Sequence, residues 1–453
     1  MNIRNSAEAR SLGLKLILVG ALAFLLWIPA ALIYGLTWER SNRADEVRNE
    51  VYALAGGPQT ISGPIILAPA EINTGETDKD GAPVTRLQVI AFTPQSLAID
   101  STIDAKIRRR SIYEATIYDA GINMTGRFGA LTAPKSAEGE VSILWDQAIV
   151  AIKFASNNGL KGVRDALSLK INGALISGSF EPGIRGLVPD EANDVFASGI
   201  SAPLTGIDPA KGFAFDLTLP LSGGGALYFA PTGENTTANM TADWPDPSFQ
   251  GAYLPDTRDI DAAGFTAQWS VPYLARDLPR NFIARGGLDR LDAGKSFGVE
   301  LIATASPYQS VNRALKYALM FLGIIFLTFF LIEATMGGRA HAAQYILLGL
   351  TQVIFYLLVL ALSEHIGFEA AFTGTAAATI MLSGYYAATV FHSILRGGIA
   401  FVAFSGAYAL IYLLMKSEDY ALLIGSVTAF GAIAITMIVT RNLDWYGVRP
   451  AKD

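Results

Sequence analysis

The sequence predicts a membrane protein of the α + β class. It reads as six transmembrane helices, one N-terminal and five C-terminal, with a large β-sandwich-like periplasmic domain inserted between helices 1 and 2. Three observations predict this. Uncharged or nearly uncharged apolar runs of spanning length occur once near the N-terminus and five times after residue 313. Residues 38–312 contain no such run. Within them, apolar residues alternate with polar ones at period two.

The first run, Leu16–Leu36, is long enough for a span, which needs about 20 apolar residues. Arg4, Arg10 and Lys15 precede it, as basic residues also precede the apolar core of a signal peptide. A signal core is only about 7–15 residues long, and no clear small-x-small cleavage site follows Ala30 and Ala31. The run therefore reads as an uncleaved anchor, with Pro29 a candidate kink. Residues 1–37 form the cytoplasmic N-terminus and first helix. The charged stretch 38–54 continues as a short helical stalk.

The inserted domain, 38–312, reads as sheet. Leu97-Ile99-Ile103-Ile107, Leu167-Leu169-Ile171, Phe213-Phe215-Leu217-Leu219-Leu221 and Phe265-Ala267-Trp269-Val271 all recur at even spacing. Such alternation describes strands with one buried face. Ser222-Gly223-Gly224-Gly225 and Pro231-Thr232-Gly233 read as turns between strands. Glu181–Lys211, rich in Gly, Pro and Asp, reads either as a boundary between two subdomains or as a long loop. The chain has no cysteine, so disulfides, thiolate metal sites, iron–sulfur clusters and a cysteine nucleophile are excluded. The domain must hold together through its core alone.

The remaining runs are Tyr317–Ile332 (reaching Met336 across Glu333), Tyr345–Leu362, Ala370–Phe391, Gly397–Met415 and Tyr420–Thr440. Short connections such as Ser363–Glu369 and Lys416–Asp419 make them antiparallel neighbours in a five-helix bundle over 313–441, followed by a cytoplasmic tail, 442–453. Basic residues in short loops set orientation. With the N-terminus inside, the cytoplasmic side collects Arg4, Arg10, Lys15, Arg339, Arg396, Arg441, Arg449 and Lys452, against Lys416 outside. Both termini are thus expected in the cytoplasm. Charged residues make up 16% of the 453, below the 25% or so of soluble proteins. The net charge is −6, which argues against a nucleic-acid partner.

Several segments carry a family resemblance. His341-Ala342-Ala343-Gln344-Tyr345-Ile346-Leu347-Leu348-Gly349 is one, and Phe355 to Phe368 with Ser363-Glu364-His365-Ile366-Gly367 is a second. Glu418-Asp419-Tyr420 and Thr440-Arg441-Asn442-Leu443-Asp444-Trp445-Tyr446 bracket the last run. Arg108-Arg109-Arg110-Ser111-Ile112-Tyr113-Glu114, Gly126-Arg127-Phe128 and Ser62-Gly63-Pro64-Ile65-Ile66-Leu67-Ala68-Pro69 belong to the inserted domain. Together they resemble the CreD inner-membrane proteins, from both ends and the middle of the chain. One departure is Ala342, where the family tends to have proline. The resemblance implies a bacterial inner-membrane protein linked to cell-envelope integrity and stress response, in several bacteria under a two-component regulator. It implies no reaction and no ligand.

Candidate functional polar residues are Glu333, His341, Gln344, Glu364, His365, Glu418, Asp419 and Arg441. Glu333 is the sharpest, because a carboxylate inside a span faces the bundle and has a partner. Arg339, His341 and Arg396 lie on its side. A salt bridge or snorkelling explains it plainly; a protonatable site on a lipid or ion pathway is the sharper alternative. Glu364-His365 reads as a polar helix cap, against an outward proton or metal contact. Gln352, mid-span, is expected to bond another helix, and Tyr345 and Tyr420 to anchor at the interface. Arg108, Arg109 and Arg110 are candidates for headgroup or partner contact, although a strand puts at most two of them on one face.

The three histidines, His341, His365 and His392, all fall in the bundle or its loops, so the inserted domain has none for a Ser-His-Asp triad. The sequence has no phosphate-binding loop, no Rossmann fingerprint and no zinc helix motif. No cofactor and no metal are expected. The reading is a non-enzymatic envelope protein whose partners are the lipid bilayer and envelope proteins or lipids. The alternative is a lipid-handling or transport protein using the bundle's polar residues. A periplasmic carboxylate hydrolase ranks last.

Overall fold

The structure is a computed structural model. It describes residues 3–441 and 443, apart from 78–82, 135–139, 156–160, 164–166, 177–179, 185–186, 188–197, 277, 285–287, 289–290, 292–294, 303–306, 337–338 and 417–419. The side chains of residues 3–12, 74–77 and 83 are likewise not described. Two compact units emerge, Met1–Asp45 with Ala305–Asp453, and Glu46–Thr304.

The unit Glu46–Thr304 is built on two mixed sheets. The first contains β1 (Gln59–Thr77), β2 (Pro83–Phe92), β5 (Val141–Ile143), β6 (Ile149–Phe154), β9 (Glu181–Pro182), β10 (Gly199–Pro203), β12 (Ala226–Phe229), β14 (Pro247–Gly251), β17 (Asn281–Ile283) and β18 (Phe297–Leu301). The second contains β3 (Ser96–Arg110), β4 (Tyr113–Phe128), β7 (Ser168–Ile171), β8 (Ala174–Leu175), β11 (Phe213–Gly224), β13 (Asn235–Ala242), β15 (Thr257–Asp261) and β16 (Gly264–Val271), in the order β15-β16-β13-β3-β4-β11-β7-β8. Most neighbours are antiparallel, but β1 with β12 and β3 with β13 run parallel.

A shared core lies between the sheets. Ile66, Ile90, Ile152 and Phe297 of the first meet Ile122, Met124, Leu217 and Trp269 of the second. The alternation read from the sequence holds in β11, where Phe213, Phe215, Leu217, Leu219 and Leu221 are buried, and in β16 from Phe265 to Val271. It fails at Ile107, which is exposed where β3 runs beyond the core. The first sheet also has a covered outer face, where Ile65, Leu67 and Ala151 pack with Ile184, Leu187, Leu278, Phe282 and Leu288. That double burial explains the unbroken apolar run Ile65–Ala68. The stretch Glu181–Lys211 supplies β9 and β10 to the first sheet, so it bounds no separate unit.

Ser222-Gly223-Gly224-Gly225 is not the turn expected. The strand β11 runs to Gly224, bends at Gly225 (φ 78°) and re-enters as β12 in the other sheet. The glycines make room for tyrosines. A Cβ on Gly223 would lie 2.3 Å from the Tyr118 hydroxyl, and one on Gly224 would lie 2.6 Å from the Tyr52 ring. Tyr118 is buried and donates to the Ala226 carbonyl (2.8 Å); burial pushes its hydroxyl pKa up.

The other unit holds α1 (Ile3–Ala55) as far as Asp45, then α3 (Pro307–Lys316), α4 (Ala318–Met336), α5 (Ala342–Ile366), α6 (Phe368–Val390), α7 (Ile394–Lys416) and α8 (Ala421–Thr440). A four-residue helix, α2 (Tyr273–Arg276), belongs to the β unit. Among the described residues, α1, α4, α5, α7 and α8 are long and apolar enough to cross a membrane. The helix α6, read from sequence as a span, is 23 residues long. Its threonines, glycines, serine and paired tyrosines make it less apolar. Pro29 does not interrupt α1. Nor are Ser363–Glu369 a loop: α5 and α6 are separated by Gly367 alone, whose φ of 78° favours glycine. The amphipathic α3, which the sequence reading missed, buries Tyr308, Val311, Ala314 and Leu315 against α5 and α7.

Candidate functional site

The described candidates from the sequence fall on two ends of the helical unit and one hairpin of the β unit. Both ends and the middle of the apolar part of α1 contact other helices of the helical unit. The buried α1 positions Val19, Ala23, Leu26, Ala30, Ile33 and Thr37 step by four and three residues alternately. Such spacing marks one seam along a helix. At mid-seam Leu26 meets Gly349 of α5; a Cβ there would lie 2.3 Å from Leu26 and 2.7 Å from Phe326.

Each end of the seam closes on a carboxylate. Glu333 is 5% exposed and accepts from the Tyr345 hydroxyl (2.9 Å) and the Ala340 N–H (2.8 Å). Lys15 forms a short ion pair with it. The Lys15 ammonium also donates to the Ala340 carbonyl (2.6 Å) and lies 6.0 Å from the Tyr345 ring centre. At the other end Glu364, 11% exposed, accepts from the Tyr308 hydroxyl (3.0 Å) and lies 3.8 Å from Arg40. Lys15 and Arg40 are 25 positions apart; at about 100° per residue they share a face of α1.

Two of the residues expected beside Glu333, Arg396 and His341, do other work. Arg396 donates to the Met336 and Phe391 carbonyls, which end α4 and α6. Arg313 likewise donates to the Met415 carbonyl near the end of α7 (3.2 Å). Cations there complement the helix dipole and its unpaired carbonyls. His341 and Gln344 form a capping box at the start of α5. The His341 ring accepts from the Ala343 N–H (3.2 Å), and Gln344 accepts from the His341 N–H (2.8 Å). The helix therefore starts without the family's proline at position 342.

Tyr345 is fully buried against Phe326 and Phe329, so it is no interface anchor. Tyr420 is exposed at the start of α8. His365 is exposed in the last turn of α5, and Arg441 follows α8 exposed. Glu418 and Asp419 lie outside the described residues.

Mid-bundle, Gln352 is fully buried. It accepts from the Tyr408 hydroxyl (2.6 Å) and donates to the Ser383 hydroxyl (3.3 Å), tying α5 to α7 and α6. Replacing Gln352 with Leu is expected to lower thermal stability in detergent by about 0.6–2 kcal/mol. A melting temperature unchanged from wild type would remove this tie from the account. The surrounding interior is aromatic: Phe321, Phe355 and Phe372 meet Tyr356, Tyr408 and Tyr412 edge-on or tilted.

In the β unit the three arginines sit at the tip of the β3–β4 hairpin. Arg109 pairs with Glu114 (2.7 Å) and Arg110 with Glu50 (2.5 Å). Nearby Lys106 bridges Asp104 (2.7 Å) and Asp119 (3.4 Å); its bond to Asp104, then that to Asp119, raises its pKa. The basic run is thus largely neutralised within its own unit. The described residues contain no group of three or more His, Asp or Glu placed to hold a metal.

The family model for inner membrane protein CreD matches residues 11–446. Inner membrane protein CreD of Escherichia coli K12 is 31% identical over 440 residues, covering 95% of this chain and 92% of that protein. Solved structures are remote. A Legionella pneumophila protein aligns with a TM-score of 0.28 and 8% identity over 62% of this chain and 87% of its own. An M1 zinc metallopeptidase of Deinococcus radiodurans aligns with a TM-score of 0.22 and 9% identity over 79% of this chain and 95% of its own. Such values carry no argument about fold or activity. The family match spans both units, and the chain belongs to the CreD family of inner membrane proteins.

Proposed function

We propose that this protein is a non-enzymatic component of the bacterial cell envelope that supports its integrity through contacts of the β unit with envelope proteins or lipids. In this reading α6 is the sixth span, between α5 and α7. Both termini are cytoplasmic and residues 38–312 are periplasmic. The domains run 1–37, 38–312, 313–441 and 442–453.

One observation supports the non-transport reading: the carboxylates of Glu333 and Glu364 and the mid-bundle amide of the helical unit have partners within it. Glu333 is held by Lys15, Tyr345 and Ala340, Glu364 by Tyr308 and Arg40, and Gln352 by Tyr408 and Ser383. A transport site keeps an ionisable group for its cargo; here the carboxylates are engaged in holding helices together. The transport alternative draws on Tyr356 and Thr375, whose buried hydroxyls have no hydrogen-bond partner.

The double variant Lys15→Met, Glu333→Gln separates the two readings. It removes both charges together. A structural clasp predicts that a strain lacking the chain regains full growth under envelope stress when given this variant. Loss of complementation at normal protein level favours a charge-dependent pathway. Orientation is testable in the same cells. The native chain has no cysteine, so one introduced at exposed Leu254 is the sole target of a membrane-impermeant maleimide. Labelling in intact spheroplasts is expected; labelling only after lysis would invert the topology.

A further inference from the structure

The end of the β unit beyond β16 holds a guanidinium with an unusual set of partners. Arg276, the last residue of α2, is 3% exposed. Arginine has five N–H donors arranged as an end-on and a side-on fork. Both terminal nitrogens reach the Thr93 hydroxyl (3.3 Å each), and Nη1 also donates to the Thr232 carbonyl. The Thr93 hydroxyl in turn donates to the Arg280 carbonyl (3.1 Å). This fills the end-on fork. The Nε–H is buried without a partner, and among the described residues Nη2 bonds to Thr93 alone. The side-on fork is open.

Among the described residues, no carboxylate pairs directly with this charge. Glu234 is near enough to act on Arg276 through space, but it is bonded to Arg280 (2.9 Å). Burial draws the guanidinium pKa down, against the smaller upward pull of Glu234. An uncompensated buried charge is costly, and a buried unpaired N–H calls for an explanation. Thr232 links Arg276 to the strand that carries a second orphan. The fully buried Ser62 hydroxyl has no partner; it precedes Gly63, whose carbonyl accepts from Thr232 (3.4 Å). The position is shallow all the same. Tyr273 lies over the guanidinium (5.2 Å) and is 39% exposed, while Leu274 is 91% exposed.

We propose that Arg276 is the recognition group of an oxyanion-binding site in the β unit, taking a carboxylate or phosphate group on its side-on fork. Two parallel N–H donors match two oxygens of either group. Tyr273 supplies an apolar wall beside the charge and Arg280 a second cation at its rim.

The test uses the full-length chain in detergent micelles, with unfolding followed by tryptophan fluorescence. Sodium acetate and sodium phosphate are titrated separately against sodium chloride at matched ionic strength. Saturation by either is expected to raise the melting temperature by about 5 °C or more over chloride. A response to acetate alone identifies a carboxylate ligand, and one to phosphate alone a phosphate. Arg276→Lys keeps the charge but loses the fork, so its response is expected to vanish. If that variant does not fold, wild type labelled with 15N-arginine replaces it: a protected Nε–H resonance must move on addition of the active anion. No response beyond chloride in wild type, an undiminished response in Arg276→Lys, or unmoved Nε–H resonances overturns the proposal.

Discussion

Replacing Lys15 with Met is expected to destabilise the helical unit by about 3 kcal/mol or more, because removing one partner of a buried ion pair leaves the other charge uncompensated. Glu333 would keep its bonds from Tyr345 and Ala340, which places the effect toward the lower end of the usual 3–5 kcal/mol or so. The single variant Glu333→Gln should be milder, since Lys15 is 24% exposed and can reach water. The double variant should recover most of the loss, as replacing a buried pair with neutral groups is often close to neutral. Thermal unfolding of the four proteins in detergent gives the coupling energy directly. Additive losses would mean that Lys15 and Glu333 do not act as a pair.

The clasp shows what the sequence could and could not tell. Glu333 stood out because a carboxylate within an apolar run must have a partner. Lys15 did not stand out, because a lysine before a first span already has an explanation as an orientation signal. Nothing in one sequence says that residues 318 positions apart are neighbours. The seam was nevertheless written in α1: Val19, Ala23, Leu26, Ala30, Ile33 and Thr37 recur at heptad spacing. In an apolar span this pattern hides, since the lipid-facing positions Ile17, Phe24, Ile28 and Leu32 are equally apolar. In the β unit, by contrast, water makes one face polar, so β11 and β16 were legible at once. The open fork of Arg276 had no such signal. Its meaning comes from Thr93 and Thr232, brought to it by two other strand connections.

The second large effect lies in the β unit. Phe297→Ala is expected to cost about 3–5 kcal/mol in stability, the usual range for removing a buried phenylalanine. Phe297 is fully buried and sits where the sheets meet. Its ring is 6.3 Å from Phe229 in its own sheet, 5.4 Å from Trp269 in the other and 6.5 Å from Tyr253. Phe249, on the neighbouring strand β14, extends the cluster edge-on to Trp269 and Phe265. The ring thus joins two sheets that no disulfide cross-links, because the chain has no cysteine. A disulfide would have constrained the unfolded chain and softened such a loss; here the core must supply the whole of it. The conservative Phe297→Leu should cost less, since it leaves a smaller cavity. Tryptophan fluorescence reads the outcome through Trp269, beside the altered ring. A loss below about 1 kcal/mol for the alanine variant, typical of a surface site rather than a core one, would show that the sheets do not depend on this contact.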